Sequence, residues 1–211
     1  MLIQWFGHAS FRIEMGSCTI ITDPFNAELG YPMFPREADI VTISHQHWDH
    51  NASETVSGTP QILAHPGLYQ LNEVMIQGFQ SYHDKQAGRE RGVNTIFKIE
   101  AEAITLLHLG DLGHMISQSL AEEIGAIDIL LLPVGGKYTV GADEAYEIVR
   151  LLQPRVVIPM HYQTPPLSFV LAPVEAFTSK FERVLKLPGL EISQPELPTE
   201  TEIIILDYLL G

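Results

Sequence analysis

The segment Ile40-Val41-Thr42-Ile43-Ser44-His45-Gln46-His47-Trp48-Asp49-His50 sets the reading of the whole chain. Its first half is apolar and β-prone, and it runs without a break into three imidazoles and a carboxylate within six residues. As a strand frays into a loop, alternate residues such as His45 and His47 face the same way. Asp49 and His50 then reach around the turn toward a second position. Imidazole nitrogen and carboxylate oxygen are the donors that borderline ions such as Zn²⁺ favour. The chain has nine histidines in 211 residues. Three of them within six positions make a poor surface patch and a good metal cradle.

Upstream, Leu2–Phe6, Ser10–Glu14 and Cys18–Thr22 read as short strands, separated by Gly7-His8 and Met15-Gly16-Ser17. Glycine at such separators accepts the positive φ that tight hairpin turns need. Asp23-Pro24 stops the third strand, a Pro- and Gly-bearing loop covers residues 26–37, and Asp39–Ser44 is the strand that feeds the histidines. Downstream, the pattern predicts a strand at Gln61–Ala64, a helix from Pro66 to Met75 and a strand at Gln77–Tyr82. Val93–Ile99 and Ala103–Leu109 form a further antiparallel pair. Ser117–Ile124 is helical with Ser117 as its cap, and Asp128–Leu132 is apolar enough to be buried on both faces. Ala142–Leu152 is a helix with Asp143 and Glu144 in its first turn, where the helix dipole favours them. Val156–Pro159 is a buried strand, Pro173–Leu185 a last helix and Glu202–Leu206 a last strand. No fixed-period repeat or linker divides the chain, so residues 1–211 read as one domain of packed sheets with helices outside.

Twelve Lys and Arg stand against 26 Asp and Glu, a formal charge of −14, while 45% of residues are hydrophobic. That apolar content supports a large core and excludes a disordered acidic chain. No cluster of Lys and Arg suits a nucleic acid. The single cysteine, Cys18, lies in an apolar run and reads as a buried, inert thiol. The N-terminus lacks the basic-then-apolar pattern of a signal peptide. No apolar run reaches the roughly 18–20 residues that span a bilayer, and the C-terminal IIILDYLL is short and broken by Asp207. The expectation is a soluble, cytoplasmic protein without membrane insertion, acting on a small molecule. There is no G-x-S-x-G elbow and no nucleotide-binding G-x-G-x-x-G.

The His-x-His-x-Asp-His run after an apolar strand resembles the signature of the metallo-β-lactamase superfamily. WFGHASFRIE, IITDPF, HLGDLGH, LLPVGGKYT and VIPMHYQT, in that order, resemble further landmarks of its lactamase-like hydrolase branch. That branch includes L-ascorbate-6-phosphate lactonase and, more distantly, N-acyl-phosphatidylethanolamine phospholipase D. The resemblance implies an α/β fold, a four-layer αββα sandwich with two mixed, largely antiparallel sheets and metal between them. It also implies two divalent ions, Zn first, with Mn, Fe or Ni as alternatives. Carried over by residue, His45 and His47 match ligands of the first ion. Asp49, His50 and His161 match ligands of the second, and Asp111 matches the carboxylate that bridges both. The third ligand of the first ion is contested between His83 and His108. His83 is preferred, which leaves His108 as a core histidine or one that orients a ligand.

The remaining candidates are weighed singly. The resemblance places His8, in its hairpin turn, near the metals, either behind the ligands or on the substrate side, with a structural role in the turn as the alternative. His114 is a candidate proton donor, Lys137 a candidate clamp for a substrate carboxylate or phosphate, and Asp49 a catalytic group that orients the nucleophile as well as a ligand. His65 reads as a turn residue, and Asp23 as a structural residue able to hydrogen-bond the metal-loop backbone. The implied activity is cleavage of a small ester, lactone or phosphodiester by a hydroxide between two metals. The rivals are an iron-dependent oxidoreductase on the same fold and a relative that binds metal without catalysis.

Overall fold

The computed structural model of the chain describes residues 1–33 and 36–209; Phe34 and Pro35 of the 26–37 loop, and Leu210 of the C-terminal apolar run, lie outside the described residues. Glycine-bearing turns fold the N-terminus into consecutive antiparallel strands, β1 (Leu2–Gly7), β2 (Ser10–Met15) and β3 (Cys18–Thr22). Two parallel strands extend that sheet, β4 (Ile40–Thr42) and β5 (Gln61–Leu63). A second sheet contains β6 (Gly67–Leu71), β7 (Val74–Tyr82), β8 (Val93–Ala101) and β9 (Ile104–His108) as antiparallel neighbours. It continues in parallel through β10 (Ile129–Pro133), β11 (Val156–Met160), β14 (Glu202–Leu206) and β12 (Val184–Leu187). The short β13 (Leu190–Glu191) returns to the first sheet beside β1. The orders are β13-β1-β2-β3-β4-β5 and β12-β14-β11-β10-β9-β8-β7-β6. Both sheets are mixed.

Every residue of β10 and β11 is buried, as expected for parallel strands covered on both faces. Trp5, Phe11 and Ile13 of the first sheet share one core with Phe97, Leu106 and Leu131 of the second. Helix α2 (Ala142–Leu152) turns Ala145, Ile148, Val149 and Leu152 inward, one apolar stripe at helical spacing. It packs against α1 (Gln118–Ile124), which Ser117 caps, and α3 (Glu175–Thr178). These helices cover the eight-stranded sheet. The other outer face carries a second apolar cluster around Phe25, Leu29 and Tyr31, covered by loops with two short 3₁₀ turns, Ala27–Leu29 and Ser53–Thr55.

One expected helix is a pair of strands and another is cut short. Pro66–Met75 is a hairpin: Leu71 pairs with Val74 across an Asn72-Glu73 turn, and Asn72 adopts φ 51°. Leu68, Leu71 and Met75 have helical spacing, but Val74 and Ile76 alternate inward against β8 and the sheet edge takes the segment. Of Pro173–Leu185, only Glu175–Thr178 is helical. Its end joins β12, because the open edge of β14 offers parallel hydrogen bonds to Val184–Leu187.

The topology sends β1, β3, β4, β7, β9 and β11 out at one end of the sandwich, since their pairings make them parallel within each sheet. Each is followed within three residues by a residue of the candidate site or its support: His8, Asp23, His45, His83, Asp111 and His161 in turn. Strand C-termini are where open α/β sheets place ligands. The loops meet there at close range, and two glycines allow it. Gly110 adopts φ +55°, with the space for a Cβ already held by Ser44 and Asn94. At Gly113 a Cβ would overlap the main chain of His83 and Asp84. Gly113→Ala is therefore expected to destabilise the fold by about 1–3 kcal/mol and to lower metal retention. Denaturant unfolding and elemental analysis of the variant measure both, and a variant equal to wild type in each would contradict this packing.

Candidate metal centre

Asp111 lies at the middle. Its amide donates to Asn94 Oδ1 at 2.9 Å, while Asn94 Nδ2 donates to Ser81 Oγ and to the Leu109 carbonyl. Thus β7, β8 and β9 jointly aim its carboxylate. Oδ2 lies 3.2 Å from His83 Nε2, 3.3 Å from His161 Nε2, 3.4 Å from His50 Nε2 and 3.9 Å from His45 Nε2. On one side His45, His47 and His83 bring ligand atoms within 4.8 Å of one another, with His45 Nε2 3.0 Å from His47 Nδ1. On the other side are His8, His50 and His161. Asp49 Oδ2 stands 3.8 Å from His50 Nε2 and 3.3 Å from His8 Nε2.

These spacings suit ions. Ligands about 2.0–2.1 Å from a tetrahedral ion are separated by roughly 3.3 Å, close to the separations around Asp111. Asp111 Oδ1 and the Nδ1 atoms of His8, His83 and His161 are buried with no protein partner. The converging imidazole and carboxylate atoms, with no Lys or Arg among the grouped ligand candidates, fit two divalent cations.

The elements behind the donors fix their direction. Asp23 Oδ1 accepts from the Ser44 amide at 2.7 Å, and Oδ2 accepts from Ser44 Oγ at 2.6 Å and from His50 Nδ1 at 2.9 Å. With Nδ1 donating, the Nε2 lone pair of His50 turns toward Asp111. Asp23, His8 and His161 all have positive φ, at 39°, 53° and 51°, strain that the surrounding bonds must hold in place. The His8 carbonyl is gripped by Trp5 Nε1 and the His161 amide, both at 3.1 Å.

Burial and mutual proximity set the protonation. Burial pushes His8 down to about 4, helped by the charge of His161. Burial and then His50 push His45 down to about 3. His47 is lowered in the same way, chiefly by burial and then by His83. His50 goes the other way: burial opposes its charge, but Asp111 and Asp23 raise it well above 6.5. Burial would raise Asp111, yet His161 and His50 hold it well below the carboxylate range. For Asp49, burial is likewise outweighed by the hydrogen bond from His8 and the charge of His50, so it too is lowered.

The other candidates are placed as follows. His83 stands within the first group, whereas the buried His108 directs Nε2 to the Ala9 carbonyl at 2.9 Å, under the edge of Phe11. His8 stands beside Asp49 and His50. His114 is not brought to the cluster: Nε2 accepts from the Tyr82 amide at 3.2 Å, and its other nitrogen bonds the Met115 carbonyl at 2.8 Å. Lys137 is exposed, its ammonium 4.9 Å from the ring of Tyr138 in a hollow beside the site. His65 lies in the bend before β6. Cys18 is buried. Sequence reasoning missed the bond from His50 to Asp23, for which Asp-Pro at a strand end was the available signal. It also missed Arg91, which lines the same hollow of about 380 Å³ as Asp49, Asp111 and His161 and has no motif to mark it.

Residues 2–161 match the model of the β-lactamase superfamily domain. The chain belongs to the metallo-β-lactamase superfamily. Within it, the chain is 30% identical to a UPF0173 metal-dependent hydrolase of Pyrobaculum islandicum, covering 89% of this chain and 94% of the relative. It therefore falls among the UPF0173 metal-dependent hydrolases. A crystal structure of a superfamily protein from Thermotoga maritima is similar with 43% identity, a TM-score of 0.84 and 97% coverage of both chains. The metallo hydrolase Igni18 of Ignicoccus hospitalis is similar at 25% identity and a TM-score of 0.64, over 85% of this chain and 89% of that one. The fold is that of the superfamily, a sandwich of two mixed sheets with few helices. Among the described residues no helix is long and apolar enough to cross a membrane.

The pH behaviour of metal uptake follows from His50. Its raised pKa stabilises chelator-treated protein below the unfolded value of about 6.5, and this contribution is lost as pH rises through the folded value. His8 and His45, already depressed, stay neutral across that window. Metal displaces the proton of His50, so the stability gained with Zn²⁺ should grow with pH. At fixed free Zn²⁺, the gap in melting temperature between loaded and chelator-treated protein is expected to widen from pH 6 to 8; a narrowing gap would exclude this linkage. Asp23→Asn removes the carboxylate behind His50 and should weaken one metal position about 10–100-fold, read by competition with a chromophoric chelator.

Proposed function

We propose that the protein is a dinuclear metal hydrolase that cleaves a small ester, lactone or phosphodiester. One observation carries this reading: Asp111 Oδ2 lies within 3.2–3.4 Å of three imidazole nitrogens drawn from both histidine groups. A carboxylate shared between two cations would put that arrangement to use. In this reading His45, His47 and His83 hold the first ion, Asp49, His50 and His161 the second, and Asp111 both. Two such ions would supply an acidified water and an electrophile for the substrate oxygen. Zn²⁺ is favoured by the donor set and by the Thermotoga relative, whose name places it among Zn-dependent hydrolases.

The chain's own residues set the geometry of the reaction. Asp49, reached by His8 at 3.3 Å, is held where it can ligate and also orient the attacking water. Trp48, Tyr138 and Phe169 line the mouth, where apolar surface displaces bulk water and strengthens the electrostatics within. A small-molecule substrate suits the hollow of about 380 Å³ beside Asp49, Asp111 and His161. No residue in the hollow favours the iron oxidoreductase.

Elemental analysis after reconstitution is expected to find two ions per chain. His83→Ala should lose one of them, while His108→Ala should keep both and lower activity by no more than about 10–100-fold. Zn²⁺ or Mn²⁺ should sustain ester hydrolysis without an electron acceptor. Activity that requires iron and oxygen, or a protein that takes up no transition metal, would overturn the reading.

A further inference from the structure

Arg91 stands where three hollows meet. It lines the metal hollow, an adjoining cavity of about 300 Å³ beside His45 and His47 whose walls include Ala64, Pro66 and Val93, and a third hollow toward Lys137. Its guanidinium lies 4.2 Å above the ring of Tyr138. Among the described residues it forms no ion pair with a carboxylate, in a chain with more than twice as many acidic as basic groups. An unpaired Arg in such a chain, with its face occupied by a ring, keeps its N–H edge for something else.

The backbone that carries it is fixed. Asp84, the residue after His83, accepts four amide hydrogens, from Gln86 at 2.7 Å, Gly88 at 2.9 Å, Glu90 at 3.0 Å and Arg91 at 2.8 Å. The β7–β8 connection is thus wound around one carboxylate, with His83 at its start and Arg91 at its end. A cation held on the same connection as a candidate ligand keeps a set distance from the reacting atoms, which is what positioning a substrate requires.

We propose that Arg91 is a specificity-determining residue that binds an oxyanion group carried by the substrate, so that the protein prefers substrates with a carboxylate or phosphate attached through a short apolar arm. The guanidinium fork matches such groups with paired, charge-assisted hydrogen bonds, and the apolar cavity beside it accepts the arm. This rests on the hydrolase reading above for the reaction itself, but not for the binding.

The test pairs 4-nitrophenyl hydrogen glutarate with the neutral 4-nitrophenyl pentanoate on Zn²⁺-loaded protein, and titrates chelator-treated protein with phenylphosphonate by calorimetry. Wild type is expected to favour the glutarate ester in kcat/KM. Arg91→Ala should lower the ratio of the two kcat/KM values about 10–100-fold and raise the phenylphosphonate Kd at least 10-fold, as the loss of a charged hydrogen-bond partner implies; Arg91→Lys should fall between. A phenylphosphonate preference without a glutarate preference marks phosphate as the group recognised. A wild-type ratio of one or below together with no phenylphosphonate binding, a ratio and Kd unmoved in Arg91→Ala, or losses found in Lys137→Ala in place of Arg91→Ala, would each overturn the proposal. If neither ester is cleaved, the ester form of the hydrolase reading fails, and the phosphonate titration alone decides the role of Arg91.

Discussion

A single buried carboxylate governs this molecule. Asp111 is almost wholly removed from solvent, and an unpaired charge there would be costly. The imidazoles of His50, His83 and His161, all within 3.4 Å of one of its oxygens, answer that cost only if loops from both sheets converge on one point. Most of the architecture serves this convergence. Asn94 ties the Asp111 amide to β8, Asp23 ties His50 and Ser44 to the end of β3, Gly110 leaves room for the side chains of Ser44 and Asn94, and Gly113 lets its main chain meet that of His83 and Asp84.

The fixed geometry has a conformational cost that the chain accepts locally. His8, Asp23 and His161 hold left-handed backbone conformations usually left to glycine or asparagine. Each is a residue whose side chain faces the cluster or supports it. Strain at these positions is offset by the surrounding core, where the strands of both sheets bury Trp5, Phe97 and the continuous apolar runs of β10 and β11. A rigid sandwich carries an improbable set of loops.

The sequence made much of this legible, for identifiable reasons. The run from His45 to His50 announces metal because donor types and spacing are local properties. The all-apolar segments at 129–133 and 156–160 announce buried parallel strands for the same reason. The helix expected at 66–75 did not form: Leu68, Leu71 and Met75 satisfy helical periodicity, but β7 is drawn into the sheet by β8, some twenty residues further along the chain, and β6 pairs back onto it. His114 shows the same limit at the level of a side chain. Three residues past Asp111 it reads as a group facing the site, yet its nitrogens are taken up by main-chain atoms at 82 and 115. Arg91 was illegible since a lone arginine in a polar loop has no pattern; its meaning comes from Tyr138, nearly fifty positions later.

The Asp84 knot has a bearing on how such a protein can change over generations. The four amides it gathers belong to the main chain, so the turn keeps its shape largely irrespective of which side chains occupy 85, 86, 89 and 90, with Gly88, at φ +80° against the Gly92 carbonyl, as the fixed point. His83, just before the knot, is insulated from whatever those positions become. Variation can accumulate along one rim of the site while the metal-binding apparatus is inherited intact, and a lineage can explore new substrates without first dismantling its chemistry.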